Sequence, residues 1–117
     1  MAQHNETGKE GEAIAGRFLE NKGYRILERN FRYGHTEIDL IAQKEKLLLF
    51  VEVKTRSGNR FGHPEEFVSS AKVRLVMRAA EHYIFAKDWP HDVRFDIVAV
   101  LTTPNGIEVS HIEDAFY

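Results

Sequence analysis

The stretch Thr36–Arg56, TEIDLIAQKEKLLLFVEVKTR, constrains this chain more than any other. Side chains along a strand alternate faces with a period of two. Glu37 and Asp39 therefore share one face and Ile38 and Leu40 the other, while Glu52 and Lys54 lie opposite Val51 and Val53. A hairpin centred on Glu45-Lys46 sets Asp39 against Glu52, Glu37 against Lys54, Ile38 against Val53 and Leu40 against Val51. It gathers the four charges on one face and the four aliphatics on the other, and a slip of one residue would destroy that separation. The turn Gln43-Lys44-Glu45-Lys46 lacks the Asn-Gly or Asp-Gly of the tightest hairpins, so its length is less constrained than its centre.

Carboxylates on directly opposed residues, with Cβ atoms roughly 4.5–5.5 Å apart, are close enough to hold one cation. Without a cation they repel, the more so when partly buried. Mg²⁺ resolves this, because it takes one or two carboxylates together with water and phosphate oxygens. A lysine beside such an ion orients or deprotonates water, or steadies developing negative charge. The same pattern also fits a half-solvated sheet face with cross-strand ion pairs, Glu37 to Lys54 among them.

At 117 residues and 43% hydrophobic content the chain reads as one domain with a sizeable core. The absence of cysteine excludes disulfides, thiolate metal sites and thiol nucleophiles. The polar start MAQHNETGKEGE has no apolar signal core, and the aliphatic runs Leu47–Val51 and Ile97–Leu101 are too short to span a bilayer. A soluble, cytoplasmic protein with no membrane partner is expected. The net charge of −2 argues against bulk, non-specific nucleic-acid binding but leaves room for a local basic patch. The six histidines lack an HxxxH spacing, and GKEGE is not a phosphate-binding loop.

Residues 1–7 read as a disordered N-terminus and 8–117 as a single domain. Thr7-Gly8-Lys9-Glu10 matches a capping box opening a helix to about Lys22, with Ile14, Ala15, Phe18 and Leu19 as its apolar stripe and Gly23 as its stop. Tyr24–Asn30 is a strand, Phe31–His35 a loop, and the hairpin covers about Glu37–Lys54. Ser57–Glu65 is a loop, and Pro64 before Glu65-Glu66 suits the start of a second helix to about Ala86. Val68, Ala71, Leu75, Val76, Ala79 and Tyr83 make its buried face. Val93–Leu101 and Ile107–His111 are the last strands. The expected fold is α/β, with a central mixed five-stranded sheet flanked by helices in the order α-β-β-β-α-β-β.

Outside the hairpin, Glu12 lies at the edge of the first helix's apolar stripe, either an ordinary surface glutamate or a carboxylate directed into a cleft. Lys72 falls within the apolar face of the second helix, so it either snorkels to an edge or reaches a carboxylate or phosphate. Arg56 and Arg60 follow the Glu-Val-Lys strand and suit a phosphate clamp, since guanidinium grips phosphate oxygens in a bidentate way. Arg74 and Arg78 lie on the solvated face. Asp96 is expected to pair with Arg94 in a structural role, Trp89 to be a core or turn residue, and Phe61 and His63 to anchor the loop.

The pattern Glu37-Ile38-Asp39 … Glu52-Val53-Lys54 resembles the PD-(D/E)XK nuclease signature. The succession GKEGEAIAGRFLENKGYRILERNFR, TEIDLIA, FVEVKTR, FGHPEEFVSSAK and RFDIVAV resembles the YraN-type family of uncharacterised bacterial proteins over about residues 8–117. Ile38 stands where the signature has proline, and Thr36 where the family usually has glycine. That family is similar in fold to archaeal Holliday junction resolvases and restriction endonucleases. The resemblance implies a restriction endonuclease-like fold and Mg²⁺- (or Mn²⁺-) dependent hydrolysis of DNA, including branched DNA. It implies Asp39 and Glu52 as metal ligands, Lys54 as the catalytic lysine and Glu12 as the helix-borne acid, and the Val53 carbonyl is expected as a further ligand. Glu37 would support Lys54, Arg56, Arg60 and Lys72 would meet nucleic acid, and two-fold junctions suggest a homodimer by analogy. The alternative is a non-catalytic nucleic-acid-binding or adaptor domain on the same fold.

Overall fold

A computed structural model describes residues 2–57 and 69–116, with backbone alone for residues 2–7. Its elements are α1 (Ala2–Asn21), β1 (Arg25–Tyr33), β2 (Thr36–Lys44), β3 (Leu47–Ser57), α2 (Ser70–Lys87), β4 (Asp92–Thr103) and β5 (Gly106–Ile112). This is the expected order of two helices and five strands. No helix among the described residues is long and apolar enough to cross a membrane.

α1 begins ahead of the capping box expected at Thr7–Glu10, since neither proline nor glycine interrupts residues 2–7. It ends at Gly23, whose φ of 98° suits a residue without Cβ, and the N–H of Tyr24 closes back onto the Leu19 carbonyl. β1 continues to Tyr33, where a loop was expected. Tyr33 pairs with Thr36, so Gly34-His35 is a tight two-residue turn, with Gly34 at φ 62°. α2 starts at Ser70 rather than at Pro64–Glu66. Ser69 is extended and its hydroxyl accepts the Lys72 N–H at 3.1 Å, a strong N-cap. Arg60, Phe61, His63, Pro64, Glu65, Glu66 and Val68 lie outside the described residues.

The strands lie in sequence order, β1-β2-β3-β4-β5, antiparallel except for the β3–β4 pair. A parallel pair needs a crossover, and the chain through α2 supplies it. Both faces of the sheet are covered. Ala15 and Leu19 of α1 pack on Leu40, Ala42, Leu49, Val51, Val98 and Val100. Val76, Ala79, Ala80 and Tyr83 of α2 pack on Ile38, Ile41, Leu48, Phe50 and Ile97. The near-continuous apolar runs of β3 and β4 follow from this two-sided burial. The buried face of α2 is narrower than expected. Ala71 is exposed and Leu75 is 41% exposed, because the stripe that meets the sheet runs through Val76, Ala79, Ala80 and Tyr83.

Candidate functional site

The β2–β3 ladder has the register expected from the sequence, from Leu40 opposite Val51 to Lys44 opposite Leu47, around a turn with Glu45 at φ 55°. Pairing stops at Leu40. One residue further, the Asp39 carboxylate accepts the Val53 N–H at 2.8 Å, taking the place of a backbone partner. β3 runs on beside β4 to Ser57, so β2 and β3 part here as a fork. A strand residue directs its N–H and C=O toward the same edge. The Val53 carbonyl therefore faces the fork together with its N–H.

Two expectations fail at this fork. The four aliphatics do not share a face, for Ile38 packs under α2 while Leu40, Val51 and Val53 pack under α1. Asn30 lies between the pairs Arg29–Leu40 and Phe31–Ile38, hence opposite Asp39, and has a left-handed φ of 55° at this point of β1. Glu37 also does not oppose Lys54. It is paired in register with Arg32 of β1, its carboxylate 4.0 Å from the guanidinium, because β2 has already left β3.

Glu52 is buried, its side chain only 8% exposed, and Oε2 lies between two ammonium groups, Lys54 at 3.6 Å and Lys72 at 3.3 Å. Lys72 comes from the first turn of α2, set there by the Ser69 cap. On the opposite side, α1 seats closely on β3. A Cβ on Gly11 would lie 2.1 Å from the Thr55 hydroxyl, so glycine there brings the neighbouring Glu12 up to the strand. With its amide nitrogen turned to the carboxylates, Asn30 donates to Glu12 at 3.1 and 3.3 Å and to Glu37 at 3.2 Å. No sequence pattern singled out Asn30; its use depends on a left-handed backbone that the one-letter code does not display.

Burial, and then the Glu52 charge, push the Asp39 carboxyl up to about 7, although the Val53 N–H opposes the rise. Glu12 is raised as well, chiefly by burial, with Asn30 lowering it and Glu37 and Glu52 raising it. Three acids from three elements thus feel one another across the fork. Among the described residues, no three acidic or histidine side chains converge into a complete metal cage. Asp39, Glu52 and the Val53 carbonyl are a set of hard oxygen donors, which fits Mg²⁺, an ion that retains several waters. Arg56 is half-buried and donates to the Thr55 carbonyl at 2.8 Å; Arg60 lies outside the described residues.

A second polar cluster sits farther along β4. Asp96 is fully buried, receives Arg94 through two bonds of 2.9 Å and takes the Asp114 N–H at 2.9 Å. Lys22 donates to His111 Nδ1 at 2.8 Å, so the ring proton sits on Nε2 and bonds Asp96 at 2.6 Å. This is the structural Arg94–Asp96 pair expected from the sequence, extended by His111 of β5 and by Lys22 just past α1, which spacing could not reveal. Trp89 is half-buried against the core under α2 and donates its indole N–H to the Asp92 carbonyl.

The chain is an α/β protein with an acidic hairpin in a sheet covered by one helix on each face. The chain matches the uncharacterised protein family UPF0102 over residues 11–100, and it belongs to that family, the YraN-like family of its sequence resemblance. It is 48% identical over its whole length to UPF0102 protein FP2501 of Flavobacterium psychrophilum, covering 98% of that protein. It is likewise 48% identical to a UPF0102 protein of Bacteroides thetaiotaomicron, covering 97% of it. Among solved structures, Pyrococcus furiosus SfsA in complex with Ca²⁺ is similar with a TM-score of 0.38 and 15% identity, over 94% of this chain and 63% of that one.

Proposed function

We propose that the fork is the centre of a divalent-metal-dependent nuclease acting on DNA, branched DNA included. The observation that carries this reading is the Asp39–Val53 bond at 2.8 Å, which sets an acid of β2 against the acid and lysine of β3 where the strands part. Asp39, Glu52 and the Val53 carbonyl would hold Mg²⁺ or Mn²⁺. Bound there, the ion supplies Lewis acidity at the phosphate and lowers the pKa of water. Lys54, 16% exposed and 3.6 Å from Glu52, is close enough to orient the attacking water or meet charge on the phosphate. Glu12, held by Asn30, would complete the acidic shell through water. Lys72 and Arg56 flank the fork as phosphate contacts.

The test is a panel of branched, single-stranded and duplex DNA incubated with the purified protein and Mg²⁺ or Mn²⁺. Cleavage is expected in wild type and lost by at least about 100-fold in Asp39→Ala and Lys54→Ala. Equal activity in all three proteins would sink the assignment.

A second reading, nucleic-acid binding without turnover, draws on Glu52 Oε2, which two lysines neutralise without any metal. Divalent titration separates the two: no metal binding at millimolar Mg²⁺ or Mn²⁺, with and without DNA, favours the second.

A further inference from the structure

Beside the fork lies a shallow notch that none of the roles above uses. It encloses about 180 Å³ and is lined by Tyr33, Gly34, His35, Thr36, Leu75 and Arg78. Its walls include two large apolar side chains left open to solvent, Tyr33 at 42% and Leu75 at 41% exposure. Single exposed apolar residues are ordinary on protein surfaces. These two differ because they border one notch with a guanidinium beside them and no acid among its lining residues. The Tyr33 ring is stacked on His82 at 4.4 Å and 25°, which supports it as a fixed platform. On α2, Arg74 and Arg78 share the exposed side that borders the notch, with Glu81 as the acid of that helix.

We infer that this notch receives one unpaired base of a nucleic-acid strand, stacked on Tyr33 and packed against Leu75, with Arg78 meeting an adjacent phosphate. The inference rests on the nucleic-acid reading of the neighbouring fork. Its position fits a strand leaving that site. Thr36 immediately precedes Glu37, and Leu75 lies about one helical turn, some 5 Å, beyond Lys72, whose ammonium touches Glu52. The flat apolar wall and cationic rim suit any base, since every base has a π-face, and give little reason for sequence preference. A base within a continuous duplex is already stacked and cannot enter, so the notch discriminates for unpaired or frayed strands.

The experiment measures equilibrium binding in EDTA, where no cleavage occurs, by fluorescence anisotropy with the full chain. One probe is a blunt duplex and the other the same duplex with an unpaired tail of about six nucleotides. Wild type is expected to bind the tailed probe about tenfold more tightly than the blunt one. Tyr33→Ala and Leu75→Ala should bring that ratio close to one, and Tyr33→Phe should keep it, with the fold of each variant checked by thermal unfolding. A wild-type ratio of one, or a ratio unchanged in both alanine variants, overturns the notch assignment while leaving the fork's nucleic-acid reading in place. Failure of wild type to bind either probe in EDTA, together with failure of the non-cleaving Lys54→Ala variant to bind either with Mg²⁺ present, overturns both.

Discussion

The Asp39 carboxylate takes the Val53 N–H at 2.8 Å at the point where the β2–β3 ladder ends. A side chain thus continues the pairing that the backbone gives up, and the acid is held at the mouth of the fork. Burial and the Glu52 charge place its carboxyl near 7, far above the ordinary 3.8. Between those two values the folded state binds more protons than the unfolded one, so in the absence of metal this group makes stability fall as pH rises. The full effect is at most on the order of 4 kcal/mol, at ~1.36 kcal/mol per unit. Asp39→Asn stays neutral and keeps an acceptor for Val53. In EDTA it should be as stable as wild type near pH 4 and more stable at pH 8, read by urea denaturation. A difference that does not grow with pH would contradict the placement of this carboxyl.

Much of this arrangement was legible in the sequence. The apolar patterns gave the element order, and the charge pattern around Glu45-Lys46 gave the register from Leu40–Val51 to the turn. What misled was strict alternation carried past Leu40. It assumes that β2 stays paired with β3, but the ladder ends at Leu40, beyond which Ile38 packs in the opposite core and Glu37 lies beside Arg32. That Lys72 reaches a carboxylate is one of the two readings its position allows, but Glu52 as the partner was not legible. That contact depends on where α2 begins, and Ser69, not Pro64, sets that start.

Asn30 joins backbone shape to electrostatics, and two substitutions separate them. Asn30→Gly keeps a residue at ease with positive φ but removes the donor shared by Glu12 and Glu37. Because that bond lowers the Glu12 carboxyl, its loss should raise Glu12 further, as followed by carboxyl ¹³C titration. Asn30→Ala should raise Glu12 equally and be about 1–2 kcal/mol less stable than Asn30→Gly, which has no Cβ in the left-handed region. A Glu12 titration unchanged in both variants would rule out the bridging amide.

Gly11 tests how closely α1 must sit on β3. Alanine is the better helix former by about 1 kcal/mol. Its Cβ would nevertheless lie 2.1 Å from Thr55 Oγ1 and 3.3 Å from Thr55 Cβ, with a short branched side chain that has little room to yield. Overpacking of this kind costs about 1–3 kcal/mol, which outweighs the propensity gain. Gly11→Ala should therefore destabilise the protein, and Thr55→Ala added to it should recover much of the loss. Denaturation of the two single variants and the double variant measures the coupling; simple additivity would mean that α1 does not make this contact.

Asp96 anchors the half of the sheet away from the fork, and its removal should be the most damaging of these changes. Burial pushes its carboxyl up, but the bonds from His111, Arg94 and the Asp114 N–H together outweigh that and hold it below the ordinary 3.8. It therefore contributes stability at pH values above 3.8 that is lost as pH falls through its lower folded value. Asp96→Ala leaves the Arg94 guanidinium, the His111 Nε2–H and the Asp114 N–H without their shared acceptor. Breaking a buried pair in this way costs about 3–5 kcal/mol. Replacing both partners by apolar residues, Asp96→Leu with Arg94→Met, should cost less than Asp96→Ala alone, because the stranded cation is removed too. Urea denaturation at neutral pH reads both, and a double variant less stable than the single one would show that Arg94 has sufficient partners without Asp96.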